Sequence, residues 1–204
     1  MKAGRLHPRS VLVVAGACFV ALAASAMLLG AVSADTALRE AILRAASPRT
    51  VNAMRIVNRA GDWRALAPGL LVLLLVFAEA RRQWWIWSAL MVSAPIMEWT
   101  FKHVVGRARP EDVSFGFPSG HSTAAAAFYG AVIFLADSLP PRVCRVVRVL
   151  AVVMIALVGF ARVLLRAHWP SDVLGGIALG LALASIAGLI ASRPPTRAPE
   201  NVTA

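Results

Sequence analysis

Apolar residues along the 204-residue chain gather into long runs separated by short polar stretches. Six of these runs come near the ~20 residues that a bilayer-crossing helix needs. They are Val11 to Ser33, Ala65 to Ala80, Trp84 to about Phe101, His121 to Ala136, Val143 to about Leu164, and Asp172 to Ser192. The second is short, and its helix is expected to begin earlier. The pattern predicts an all-α, polytopic membrane protein, a six-transmembrane-helix bundle forming a single domain over residues 1–192. Residues 193–204, where Pro194, Pro195 and Pro199 stand among mostly polar residues, are expected to be a disordered tail. No repeat of 20–50 residues is evident.

The first run admits two readings. A basic start, an apolar stretch and Val32-Ser33-Ala34 resemble a signal peptide with its cleavage site. The run exceeds the roughly 7–15 apolar residues of a signal sequence, however, so an uncleaved span is expected. The stretch from Asp35 to Arg64 holds two short helical patterns separated by Ser47-Pro48. Leu38, Ile42 and Leu43 share one face; Val51, Met54, Ile56 and Val57 share another less cleanly. Helices packed over the bundle are expected there, with guidance of a lipid headgroup as the alternative. Trp84, Trp85 and Trp87 follow Arg81-Arg82 and read as an aromatic belt at the membrane interface.

Composition agrees. The chain is 59% hydrophobic, with a mean hydropathy of +0.71 and 15% charged residues, against roughly 25% charged in soluble domains. A net charge of +11 would suggest nucleic acid in a soluble protein. In a chain mostly buried in lipid it points to anchoring at the cytoplasmic face, anionic headgroups and phosphate. Cys18 and Cys144 lie in or beside apolar runs and form no ligand spacing. With a cytoplasmic N-terminus, the Lys and Arg residues divide almost evenly between the two sides. Five of the outward ones (Lys102, Arg107, Arg109, Arg162 and Arg166) lie near polar motifs. Setting these apart leaves a weak inside-positive bias.

Three polar clusters interrupt the apolar pattern, and alternating spans place all three at helix ends on one side of the membrane. The first runs from Lys102 to Pro110. Lys102 and Arg109 are seven apart, so they share a face for as long as the helix lasts. Pro110 biases Arg109 out of the helical region. Two such cations suit a phosphate clamp; snorkelling at the interface is the plainer use. The second cluster is Phe117-Pro118-Ser119-Gly120-His121-Ser122. Gly120 allows close approach to backbone N–H groups at a helix start, where anions bind. Ser119 can cap the helix or donate to a phosphate oxygen, and His121 falls in the first turn. The third runs from Arg162 to Asp172. Pro170 suits the first turn of the last helix. Asp172 then lies close enough to His168 to fix its tautomer and raise the basicity of its other nitrogen. Ionisable residues at the membrane edge favour function over a structural staple.

The inventory is three cations, a donor-rich helix start and two histidines, one with a carboxylate. Phosphoryl transfer uses that set: charge neutralisation, an in-line nucleophile and an acid for the leaving oxygen. No Ser or Cys nucleophile has a matching base, so the imidazole itself becomes the nucleophile. The acidic residues are too scattered for a hard-cation site, and no metal or cofactor is expected.

These motifs resemble those of the type 2 phosphatidic acid phosphatase superfamily, which also includes the vanadium haloperoxidases. Lys102 to Pro110 matches its K-x6-R-P motif and Pro118 to His121 its P-S-G-H motif. Arg162, His168 and Asp172 match S-R-x5-H-x3-D, with Ala161 where the family usually has Ser. The resemblance implies a helical bundle working without a metal ion. It implies His168 as nucleophile through a phosphohistidine, Asp172 as its orienter and His121 as acid for the leaving group. Lys102, Arg109, Arg162, Ser119 and the Gly120 backbone would hold phosphate. It also implies a lipid phosphate substrate (undecaprenyl pyrophosphate, phosphatidic acid, phosphatidylglycerol phosphate or lipid A) handled at the outer face of the cytoplasmic membrane. Arg107, Arg166 and His103 fall outside the motifs and are expected to be interface anchors or headgroup contacts. A haloperoxidase fits poorly because those relatives are soluble and larger. A non-catalytic binder or transporter of lipid phosphate would need neither His121 nor an activated His168.

Overall fold

The protein, as a computed structural model, is described over residues 6–192. The tail expected to be disordered lies outside the described residues. The chain forms α1 (Pro8–Leu29), α2 (Ser33–Arg44) and α3 (Pro48–Asn58), then a 3-10 turn (Arg59–Gly61). α4 (Trp63–Val76), the short α5 (Ala78–Arg82) and α6 (Trp84–Val105) follow. α7 (Gly120–Leu135), α8 (Pro141–Leu164) and α9 (Pro170–Ala191) complete the bundle. No strand occurs among the described residues beyond an isolated bridge between Ala108 and Phe115.

Five of the six apolar runs each form one helix, with ends shifted by a few residues. The second, expected over Ala65 to Ala80, starts earlier at Trp63 and is broken at Phe77, whose extended backbone (φ -99°, ψ 109°) separates α4 from α5. Prolines explain several starts. Pro8, Pro48, Pro141 and Pro170 sit in first turns, where a missing N–H costs nothing. Ser47 caps α3 by accepting from the Thr50 N–H at 3.1 Å, and Asp62 caps α4 through the Arg64 N–H at 2.9 Å. The two short patterns between Asp35 and Arg64 are α2 and α3, broken at Ser47-Pro48 as expected. Leu38 and Ile56, assigned by pattern to the packed faces of α2 and α3, are instead exposed.

Three helices are long and apolar enough to cross a membrane by themselves: α1, α8 and α9. α4 is apolar but shorter, and α7 has 16 residues. α6 has the length but carries Glu98 and Lys102 near its end. Val13, Leu28, Leu75, Val76, Val149 and Leu150 are among many large apolar residues left exposed on the bundle's outside. Water would penalise such a surface; lipid would not.

α9 lies at the centre, packed against α7, α1, α6 and α8. Its small residues set the spacing. A Cβ at Gly176 would lie 2.5 Å from the Ser119 carbonyl oxygen, and one at Gly180 would strike the α7 backbone. Close small-residue contacts of this kind hold helices together where lipid removes the hydrophobic drive. On the other flank, Phe19 of α1 stacks on Phe117 at 5.9 Å and meets Phe101 edge-on at 4.7 Å. The belt tryptophans divide: Trp84 and Trp85 are exposed, whereas Trp87 is buried in the cluster that holds Leu66, Leu73 and Leu90. The α6 helix places Trp87 on its inward face, and packing there outweighs an interfacial position.

Candidate active site

The polar clusters meet at one end of the bundle, where α6 ends, α7 begins and α8 passes into α9. A backbone hydrogen bond from Ser119 N to the Asp172 carbonyl, at 3.0 Å, ties the start of α7 to that of α9.

His168 is 1% exposed. Its Nδ1 stands 3.4 Å from Asp172 Oδ2, and the nitrogen makes no formed hydrogen bond. The link is therefore one of proximity and charge. Burial pushes the imidazole down to about 4; Asp172 opposes this, while the charges of Arg162 and Arg109 reinforce it. At neutral pH the ring is uncharged and carries a free lone pair.

Asp172 is fully buried and fully engaged. Oδ2 accepts the Trp169 N–H at 2.9 Å, closing the first turn of α9, and Oδ1 accepts Arg107 Nη2. Arg107 is not the interface anchor that its place outside the motifs suggests. The structure buries it instead. It also reaches the Gly30 carbonyl at 3.2 Å, Asp35 Oδ2 at 3.3 Å and Ser171 Oγ at 2.9 Å, and lies 5.6 Å over the Phe117 ring. Asp35 is buried as well and takes the Ser171 N–H at 2.8 Å and its hydroxyl at 2.5 Å. Two carboxylates shut away from water require a cation between them, which is why this arginine turns inward.

Lys102 and Arg109 do not share a helical face. α6 stops at Val105 because Gly106 adopts a left-handed conformation, with φ 66°. Its N–H donates to the Lys102 carbonyl at 2.9 Å, a common way to end a helix. From there residues 107–109 run extended beside 114–116, with Gly116 N bonded to Arg107 O at 2.6 Å and Arg109 N to Ser114 O at 3.1 Å. The turn still delivers Arg109 to the site. A Cβ at Gly116 would lie 2.9 Å from Asp172 Oδ2 and 3.4 Å from Arg109 Cγ. Lys102 forms an ion pair with Glu98.

Arg162 donates to Asn58 Oδ1 at 2.9 Å, and its Nε has no partner. Its charge acts on both histidines, and Lys102 also acts on His121. His121 Nε2 faces Asp62 Oδ2 at 3.8 Å. Ser119 is fully buried and does not cap α7; its hydroxyl accepts from Ser122 Oγ at 3.0 Å. The space beside Gly120 is taken by the Glu98 carboxylate: a Cβ there would lie 2.8 Å from Glu98 Oε1. Ala161 brings no hydroxyl before Arg162, and it is fully enclosed. Arg166 is held by Glu111 at 3.1 Å, which also pairs with Arg39, and His103 Nδ1 lies 2.8 Å from the Trp99 carbonyl.

Cavity size does not locate this site. A cavity of about 930 Å³ opens at the opposite end, beside Arg9, Glu79 and Asp137. An apolar groove of about 530 Å³ runs between α1 and α9. Neither is lined by His168, and the site is recognised by its chemistry.

A buried histidine backed by a carboxylate, with Arg162 and Arg109 acting on it at the end of an apolar bundle, is an arrangement suited to a helical membrane phosphatase. The chain belongs to the PAP2 superfamily. Its family model matches residues 111–193. Phosphatidylglycerophosphatase B of Bacillus subtilis is 32% identical over 176 residues, covering 81% of this chain and 87% of that protein. Lipid A 1-phosphatase of Rhizobium johnstonii is 33% identical over 108 residues, covering 45% and 41%. The crystal structure of a transmembrane PAP2-type phosphatidylglycerolphosphate phosphatase from Bacillus subtilis superposes with a TM-score of 0.78 at 27% identity, covering 94% of this chain and 99% of that one.

Proposed function

We propose that the chain hydrolyses a phosphomonoester or pyrophosphate of a membrane lipid through a phosphohistidine on His168. One observation carries this reading: His168, 1% exposed, stands 3.4 Å from the Asp172 carboxylate, and its burial, with the charges of Arg162 and Arg109, favours the uncharged ring. The imidazole attacks phosphorus and the bond to the leaving oxygen breaks. Lys102, Arg109 and Arg162 neutralise the non-bridging oxygens, with Ser119 and the Gly120 backbone at the helix start. His121 gives a proton to the leaving oxygen. Asp172 stabilises the cationic ring of the intermediate. Water, deprotonated by His121, then cleaves the P–N bond, and phosphate leaves. The three cations supply the charge stabilisation that a metal gives in other phosphatases, so no cofactor is proposed.

Phosphatidylglycerol phosphate and lipid A follow from the relatives' substrates; phosphatidic acid and undecaprenyl pyrophosphate carry the same chemical group. Six crossings, with the site on the outer side of a cytoplasmic membrane, fit the helix pattern. Arg81, Arg82, Arg142 and Arg145 then lie at the far, cytoplasmic end. The test is phosphate release from these four lipids by detergent-purified protein in EDTA. Wild type should turn over at least one lipid, and His168→Ala none. Equal release by the variant would remove His168 as nucleophile; no release by either would favour a lipid-phosphate binder.

A further inference from the structure

His121 has a carboxylate partner of its own. The 3-10 turn Arg59–Gly61 leads into Asp62, which begins α4. Gly61 is buried, and a Cβ there would come 2.9 Å from the His121 carbonyl oxygen and 2.7 Å from Val158 Cγ1. No larger residue fits, so the turn is pressed against both α7 and α8. The same turn brings in two polar side chains. Asn58 holds Arg162 at 2.9 Å, and Asp62 Oδ2 faces His121 Nε2 at 3.8 Å.

The charges around His121 make that carboxylate matter. The charges of Arg162 on α8 and Lys102 on α6 act on His121, and His168 lies in the connection before α9. The Glu98 carboxylate on α6 is paired with Lys102. Arg64 binds Asp62 Oδ1 through its backbone N–H at 2.9 Å and stacks its guanidinium on Trp63. Asp62 is thus the anion that faces the ring, at 3.8 Å, against the charges of Arg162 and Lys102. An anion beside an imidazole favours the protonated form, and a cation disfavours it. The separation of 3.8 Å exceeds a hydrogen bond, so the effect is one of charge and orientation. The His121 and Asp62 side chains are 29% and 32% exposed. Partial enclosure of this degree limits screening by water and salt.

We propose that Asp62 is a positioning residue for the leaving-group acid. It opposes Arg162 and Lys102, favouring a proton on His121 and aiming the ring so that it gives that proton to the departing oxygen. This rests on the reading of His121 as that acid. After the transfer His121 is neutral beside Asp62, ready to take a proton from the incoming water.

The test is a comparison of leaving groups. Asp62→Asn removes the charge and keeps the helix cap, because Asn caps as well as Asp. A lipid phosphomonoester needs its alkoxide protonated; p-nitrophenyl phosphate leaves as a stabilised phenolate and needs little help. General acids contribute about 10²–10⁴ in rate. A partner acting through the acid should cost a fraction of that, about 10- to 100-fold on the lipid and no more than about twofold on the aryl ester. His121→Ala should show the same split, larger. If His121→Ala splits the substrates and Asp62→Asn slows both equally, or slows neither, Asp62 is not a positioning residue and the functional reading stands. If His121→Ala shows no split, the acid assignment fails, and this proposal with it.

Discussion

Replacing Arg107 by leucine tests the buried charge network most directly. The guanidinium is 5% exposed and lies between Asp35 and Asp172, which are 3% and 0% exposed. Its removal strands two carboxylates without a counter-ion. Breaking a buried pair this way costs about 3–5 kcal/mol, because the partner's charge remains in a medium that does not solvate it. For a chain of this size each kcal/mol moves Tm by about 2–4 °C, so a fall of about 6–20 °C is expected. Thermal unfolding in detergent, followed by tryptophan fluorescence, measures it. The sharper part is a double-mutant comparison. Asp35→Asn alone leaves the Arg107–Asp172 pair intact but weakens the cradle. Combined with Arg107→Leu, it removes one of the two stranded charges and should recover part of the lost stability. Losses that simply add in the double variant would refute the picture of Arg107 as counter-ion to both carboxylates.

Arg166 ends α8 in a left-handed conformation, with φ 61°. Ala167 N bonds to Arg162 O at 3.1 Å and Arg166 N to Val163 O at 2.9 Å. Glycine is the usual residue in such a position, and a non-glycine residue is destabilised there by about 1–2 kcal/mol. The exposed bridge from Arg166 to Glu111 contributes at most about 1 kcal/mol. Arg166→Gly should therefore raise Tm by a few degrees with activity unchanged; a lower Tm would overturn this. The depressed proton affinity of His168 gives a pH effect. The unfolded ring, with an ordinary value of 6.5, binds a proton that the folded ring, at about 4, does not. Stability attributable to His168 is thus present above 6.5 and lost as pH falls from there towards 4. Wild type should lose more Tm between pH 7.5 and pH 5 than His168→Gln does, and equal losses would count against a neutral buried ring. Gly176→Val should leave little folded protein in a detergent-monodispersity assay, because its side chain would enter the Ser119 carbonyl. A monodisperse, active variant would show that the α7–α9 seam is not tight.

Most of the fold is legible in the sequence because lipid-facing helices write themselves as apolar runs and proline marks their starts. The site is legible in its motif residues, which stand out as charges in an apolar context. Their partners are hidden. Asp35 and Asp62 lie in a stretch rich in arginine, where an acid looks like a solvated counter-charge. Nothing local says that it folds onto a residue far along the chain. Arg107 sits two positions from Arg109 with the same side chain, and only tertiary burial separates a strut from a phosphate clamp. The broken face of Lys102 and Arg109 is different, because the sequence does hold its signal. Gly106, four residues after Lys102 and four before Pro110, is a helix stop.

The geometry of the site depends on residues that carry no chemistry. His121 and Ser119 ride on the start of α7, while His168 and Asp172 flank the start of α9. The distance between the proposed acid and the proposed nucleophile is thus the distance between two helix ends. That spacing is set by Gly176 and Gly180, where α9 touches the backbone of α7, and is pinned by the Ser119–Asp172 hydrogen bond. On the far side, Phe19 supports Phe117, and Phe117 in turn carries the Arg107 guanidinium over its face. α1 is thereby coupled to the carboxylate behind His168 without contributing a reactive group. A displacement of about 1 Å in such a frame can cost on the order of 100-fold in rate. Substitutions along the seam and at Phe19 should therefore reduce turnover in proportion to how far they separate the two helix starts, even where the folded state survives.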